Sequence, residues 1–171
     1  YLDTGGAFLE MKTRGARSAT VKERVPVQID GIALPGGSSL CAGEGGELVA
    51  EAFDALGLDP AGIARLRPTL TTRYRRTTLL LADEVRATID TDLLWRDASS
   101  TGVTGAVLSR PDLVVIETKS AGGAGELDRI LWRRRHRPDR ISKFATGLAA
   151  LRRELPANRW ARVLRRHFPI P

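Results

Sequence analysis

Cysteine, lysine and long apolar runs are scarce in this sequence, and each scarcity closes off a possibility. A single cysteine, Cys41, stands among 171 residues, so no internal disulfide can staple the fold, and a reducing compartment is expected. No apolar run approaches the roughly 18–20 residues that a membrane-spanning helix needs. The longest cluster, Leu79-Leu80-Leu81, is of strand size. No charged-then-apolar leader opens the chain, and a soluble cytoplasmic protein is the expectation. The chain starts at Tyr1 without an initiator methionine, which reads as a fragment or a processed product. Only two histidines occur, His136 and His167, far apart and without ligand-like neighbours, which disfavours a zinc site. No Gly-x-x-x-x-Gly-Lys-Ser/Thr motif is present, so a P-loop kinase is not expected. Ser38, Ser39 and Cys41 have no histidine near them in sequence to serve as base, which argues against nucleophilic catalysis.

Arginine is abundant. The 27 basic residues comprise four lysines, Lys12, Lys22, Lys119 and Lys143, and 23 arginines. Lysines kept against that bias mark positions where a compact ammonium is wanted. The net charge of +7 is unevenly spread. Residues 129–171 hold 13 bases against Asp139 and Glu154, a balance of +11, whereas residues 1–128 hold 14 bases against 18 acids, a balance of −4. The basic tail could attract nucleic acid, an anionic polymer or a membrane surface. Its Arg133-Arg134-Arg135 run reads as a solvated helix face or, failing that, a polyanion contact. Trp95, Trp132 and Trp160 read as packing residues.

Length suits one domain spanning 1–171. Residues 7–13 and 20–27 read as strands joined by a turn at 14–18. The Gly-, Ser- and Pro-rich stretch from Gly31 to Gly46 reads as a surface loop. Glu47 to Leu56 has helical spacing with Gly57 as its stop, and a short helical turn follows Pro60. Residues 69–80 and 85–92 read as a longer strand pair around 82–84, and 112–119 as a central strand. Beyond Lys119 the segments 126–135, 142–153 and 158–167 read as helices, with Pro138 and Pro156 at their boundaries. Strands with one inserted helix, followed by a basic helical tail, define an α+β fold with antiparallel pairing.

Residues two apart in a strand share a face. Glu10 lies with Lys12, Lys22 with Arg24, Tyr74 with Arg76, Arg86 with Thr88 and Asp90, and Glu117 with Lys119. Each strand thus has an apolar side and a side of long charged groups. One account is a half-exposed sheet whose charged face is solvated. The other closes the sheet so that the charges point inward. Buried charges are costly unless paired or used on a ligand, so such a lumen would suit a polyphosphate. Arginine grips phosphate through paired hydrogen bonds, and carboxylates there would serve a divalent metal.

The stretches FLEMKTRG, TVKERV, RYRRT, VRATIDTDL, VVIETKS and RISKFATG, in this order and spacing, strongly resemble the VTC domain. That domain is named for the vacuolar transporter chaperone polyphosphate polymerase and belongs to the triphosphate tunnel, CYTH-like superfamily. The resemblance covers nearly the whole chain. It implies an antiparallel β-tunnel, a closed or partly open barrel, with flanking helices. It also implies transfer of the γ-phosphate of ATP to a growing polyphosphate chain with Mn²⁺ or Mg²⁺; relatives hydrolyse triphosphate or cyclise ATP. Carried over motif by motif, Lys12, Lys22, Arg24, Arg76, Arg86 and Lys119 would line the tunnel and grip phosphates. Glu117 would be the first metal ligand, with Glu10 and Asp90 behind it. Lys143 would reach in from a helix near the mouth, and Tyr74 would join the substrate contacts. Arg73 and Arg75 rank lower, on the opposite face of a regular strand, and a bulge would reverse that order. Family members usually carry strands before the FLEMK segment, so an open or incomplete tunnel is expected. A phosphohydrolase on the same fold is the second reading. A non-catalytic binder of polyphosphate or nucleic acid through the basic tail is the third, nucleic acid being the less expected partner.

Overall fold

Strands with alternating apolar and charged residues pair antiparallel in both halves of the chain. The computed structural model describes residues 3–14, 20–27, 44–81, 85–99, 105–120 and 123–168, which divide into two compact units, Tyr1–Arg67 and Pro68–Pro171. The turn expected after Arg14, residues 31–43 of the loop expected from Gly31 to Gly46, and the tight connection at 82–84 lie outside the described residues, while residues 44–46 of that loop are helical.

In the first unit, β1 (Ala7–Arg14) pairs antiparallel with β2 (Thr20–Val27), in a register that sets Glu10 opposite Arg24 and Lys12 opposite Lys22. Helix α1 (Glu44–Ala55) begins earlier than its spacing suggests and touches both strands. Leu48, Val49 and Ala52 form its buried stripe, the one-turn repeat of a core-facing helix. Gly57, at φ 62°, ends it. The Leu58 N–H then donates to the Phe53 carbonyl at 2.8 Å, closing the last turn in the left-handed manner that glycine permits. Asp59 caps the following 3-10 turn, Pro60–Arg65, by accepting from the Ala61 N–H at 2.9 Å.

In the second unit, β4 (Arg86–Asp97) is the central strand. It pairs along its length with β3 (Leu70–Leu80), and its other edge is shared by β5 (Val107–Arg110) and β6 (Val115–Lys119), all antiparallel. The strand pattern anticipated β3 and β6; it ended β4 at residue 92 and did not anticipate β5. The reason for the early end of β4 is a bulge. Arg73 pairs with Leu94 but Arg75 with Thr91, so one extra residue of β4 is accommodated, and Asp92 takes φ 52°. An extra residue inverts the side-chain alternation, so Leu93 and Trp95 follow Asp90 onto the same face.

That face carries the core of Leu93, Trp95, Val115, Ala150, Val163 and Phe168, packed by α3 (Lys143–Leu151) and α4 (Ala161–His167). Helix α2 (Glu126–Arg133) opens on a capping arrangement in which Asp128 accepts from the Gly125 N–H and the Thr118 hydroxyl. Trp95 and Phe168 meet edge to face at 5.5 Å, and the indole N–H donates to the Lys143 carbonyl at 2.9 Å. Gly147 explains its place inside α3, because a Cβ there would lie within the Trp95 indole. Among the described residues no helix is long and apolar enough to cross a membrane, and the mixed helices and antiparallel sheets are those of an α+β fold.

Candidate functional site

The face of β3, β4 and β6 that begins in the dry core ends in charge. Register places Arg76 opposite Asp90 on the β3–β4 side, and Arg86 opposite Lys119, Thr88 opposite Glu117 and Asp90 opposite Val115 on the β4–β6 side. Moving along β4 from Trp95 towards Arg86, one therefore leaves indole and leucine and meets Asp90, Thr88 and Glu117, then Arg86 and Lys119.

Asp90 stands at the boundary and is fully buried. Arg76 donates to it twice, Nε to Oδ1 at 2.7 Å and Nη2 to Oδ2 at 2.8 Å, the paired geometry that makes guanidinium–carboxylate contacts strong. Lys143 Nζ lies 2.9 Å from Oδ2. Burial works against ionisation of Asp90, but the hydrogen bonds from Arg76 and Lys143 prevail and hold its carboxyl below the usual range. Its hydrogen bonds to Asp90 raise Arg76 further against the opposing effect of burial, and Glu117 adds a smaller electrostatic contribution. Tyr74 is the floor beneath both cations, with the Arg76 guanidinium 5.0 Å and the Lys143 ammonium 5.6 Å from its ring centre.

Lys143 comes from the first turn of α3, whose N-cap Ser142 accepts from the Ala145 N–H at 3.2 Å. One residue thus has two duties: its carbonyl fastens α3 to Trp95 and its ammonium enters the charged face. Glu117 contacts Lys119 at 3.2 Å and keeps about half of its side chain exposed. Thr88, between Arg86 and Asp90, has a buried hydroxyl with no hydrogen-bond partner.

The hairpin of the first unit has a charged face of its own. Glu10 lies between Lys12 at 2.9 Å and Lys22 at 2.6 Å, and Lys22 first, then Lys12, hold its carboxyl below the usual range. Arg24 stacks 3.7 Å over the Phe8 ring. Arg73 and Arg75 fall on the side of β3 away from Arg76, because the bulge belongs to β4 and leaves the alternation of β3 intact. Arg75 lies 3.5 Å from the exposed Asp92.

The VTC domain family matches residues 1–152. The chain belongs to the VTC domain family. The family is a polyphosphate polymerase-related one of the tunnel fold, so the charged face belongs to a VTC domain with a polyphosphate-related function. Neither curated proteins nor solved structures include a match. Within this VTC domain, the match takes in Tyr74, Arg76, Arg86, Asp90, Glu117, Lys119 and Lys143, and stops before α4. Sequence alternation grouped these side chains strand by strand, and the register sets the strands side by side. Alternation missed the shared contact of Asp90 with Arg76 and Lys143, whose side chains come from positions 14 and 53 residues away, as well as the orphaned Thr88 hydroxyl.

Proposed function

We propose that this VTC domain transfers the γ-phosphate of ATP to the end of a polyphosphate chain on the charged face of β3, β4 and β6, as the wall of a cation-lined β-tunnel. The observation that carries the reading is the set of Arg76, Arg86, Lys119 and Lys143 on one face, beside the single half-exposed carboxylate of Glu117. Lys12, Lys22 and Arg24 give the hairpin of the first unit a phosphate-binding face of its own in this reading, and Tyr74 supports the two cations above it.

Arg76 and Arg86 would each engage a phosphate through paired N–H groups, and Lys119 and Lys143 through single ammonium contacts. Cations fixed in advance stabilise charge that develops as the phosphoryl group moves. A terminal polyphosphate oxygen attacks the γ-phosphorus, the bond from that phosphorus to the bridging oxygen breaks, and ADP leaves with both bonding electrons.

Mn²⁺ or Mg²⁺ takes oxygen donors. Among the described residues no three His, Cys, Asp or Glu side chains gather, so a cage made by the protein alone does not fit them. One or two carboxylates plus substrate phosphates do fit, and this is the usual Mg²⁺ arrangement beside nucleotides. Glu117 is the ligand of choice, with the unpartnered Thr88 hydroxyl across the register from it. Glu10 and Asp90 already hold two cations each. Bound there, the ion would offset negative charge on the phosphate oxygens.

Incubation with ATP and Mn²⁺, followed by phosphorus NMR and gel analysis, tests the assignment. Polyphosphate with stoichiometric ADP is expected, and Glu117→Gln should lower the rate at least about 100-fold. Release of free phosphate alone would replace the polymerase with a triphosphate hydrolase on the same residues.

A further inference from the structure

Asp90 is the most enclosed charged side chain of the second unit's charged face, and the reaction proposed above assigns it no step. A metal ligand would need oxygen lone pairs directed at an open position, yet Oδ1 receives Arg76 Nε, and Oδ2 receives both Arg76 Nη2 and Lys143 Nζ. Two planar oxygens held by a guanidinium fork and shared with an ammonium reproduce what those cations would offer one edge of a phosphate group. The carboxylate is short and locked in the strand next to the bulge, whereas Lys143 carries its charge on a flexible stem. Arg76 still has its Nη1 donors uncommitted to Asp90. Two cations and one carboxylate leave a single net positive charge.

We propose that Asp90 is an internal counter-anion of the phosphate site: it stands in for a phosphate edge, keeps Arg76 and Lys143 over Tyr74 when no ligand is bound, and competes with an incoming phosphate for both. This rests on the charged face being a phosphate site. The arrangement keeps two partly buried cations together without a ligand, where they would otherwise repel each other. Affinity is the sacrifice, since a fixed negative charge opposes every phosphate that approaches. Glu10 between Lys12 and Lys22 repeats the pattern on the hairpin, but there the carboxylate is more exposed and water screens it.

Asp90→Asn keeps the size and an acceptor oxygen while removing the charge. Titration calorimetry of the 171-residue chain with tripolyphosphate, in metal-free buffer at about 0.15 M salt, is the test. Removal of one like charge within about 8 Å of the ligand should tighten binding about tenfold. A role in stability alone would leave affinity unchanged, and a role in shaping the site without competition would weaken it. Either result, in a variant with a native circular dichroism spectrum, overturns the inference. No binding by the unaltered chain would overturn the phosphate-site reading and the inference with it. If Asp90→Asn does not fold, the carboxyl carbon of Asp90 in the unaltered, ¹³C-labelled chain decides. Its resonance should move on saturation with tripolyphosphate as Arg76 and Lys143 turn to the ligand, and a stationary resonance overturns the proposal.

Discussion

At the scale of single residues, Arg76 combines its hold on Asp90 with the phosphate-binding role proposed for it. Its guanidinium supplies two of the three hydrogen bonds to the buried Asp90. Arg76→Ala should therefore cost about 3 kcal/mol in denaturant unfolding, because a buried charge left short of partners is expensive. Arg76→Lys should keep more of that stability yet lose paired recognition of phosphate. Lys119 is the opposite case. It is exposed and paired only with Glu117 at 3.2 Å among the contacts described, and such surface pairs contribute little. Lys119→Ala should leave unfolding within about 0.5 kcal/mol. It should sharply reduce the stabilisation by tripolyphosphate, which amounts to about 2.7 kcal/mol at 100 times the dissociation constant. Thermal shift with and without ligand separates the two effects.

At the scale of elements, α3 decides whether the site exists, because it brings Lys143 to Asp90 while its far end is tied to β4. Arg152, at the C-cap of α3, donates to Asp97 at 2.6 and 2.8 Å and also contacts the Ser99 hydroxyl. Arg152 first, then Ser99, hold the Asp97 carboxyl down to about 2, from an ordinary value of 3.8. A folded value below the unfolded one means that the tie contributes fully above about pH 4 and is lost as the pH falls from there towards 2. Arg152→Gln should thus flatten the fall in stability across that window, seen as a smaller pH dependence of the unfolding midpoint. Gly147 tests the same helix from its middle. Gly147→Ala would drive a methyl into Trp95 and should cost about 1–3 kcal/mol, despite the better helix propensity of alanine. Gly123→Ala, where no atom lies within 4 Å, should stay within about 0.5 kcal/mol.

At the scale of the whole molecule, charge separates two modes of binding. The +11 balance of residues 129–171 acts at long range and is screened by salt, whereas contacts made on a partly buried face are screened less. Affinity for long polyanions such as heparin should therefore fall at least tenfold between about 50 and 200 mM salt. Tripolyphosphate affinity should fall less steeply over the same range. Parallel titrations measure both slopes, and equal slopes would assign the phosphate binding to the basic tail.

Much of this VTC domain was legible in its residues. Two-residue alternation placed Tyr74 with Arg76, Arg86 with Asp90 and Glu117 with Lys119, because the pleat of a strand fixes which side chains share a face. Proline and glycine located the helix boundaries near Gly57, Pro138 and Pro156, and the six motifs identified the family. The sequence did not reveal the bulge at Asp92, since an extra residue in a strand leaves no mark in composition. Without it, Trp95 would be placed on the wrong side of the sheet from Asp90. Nor could spacing tell a carboxylate locked between two cations from one left half exposed. Glu117 and Asp90 look alike as letters, and only packing, by burying one between Arg76 and Lys143 and leaving the other half in water, gives them different chemistry.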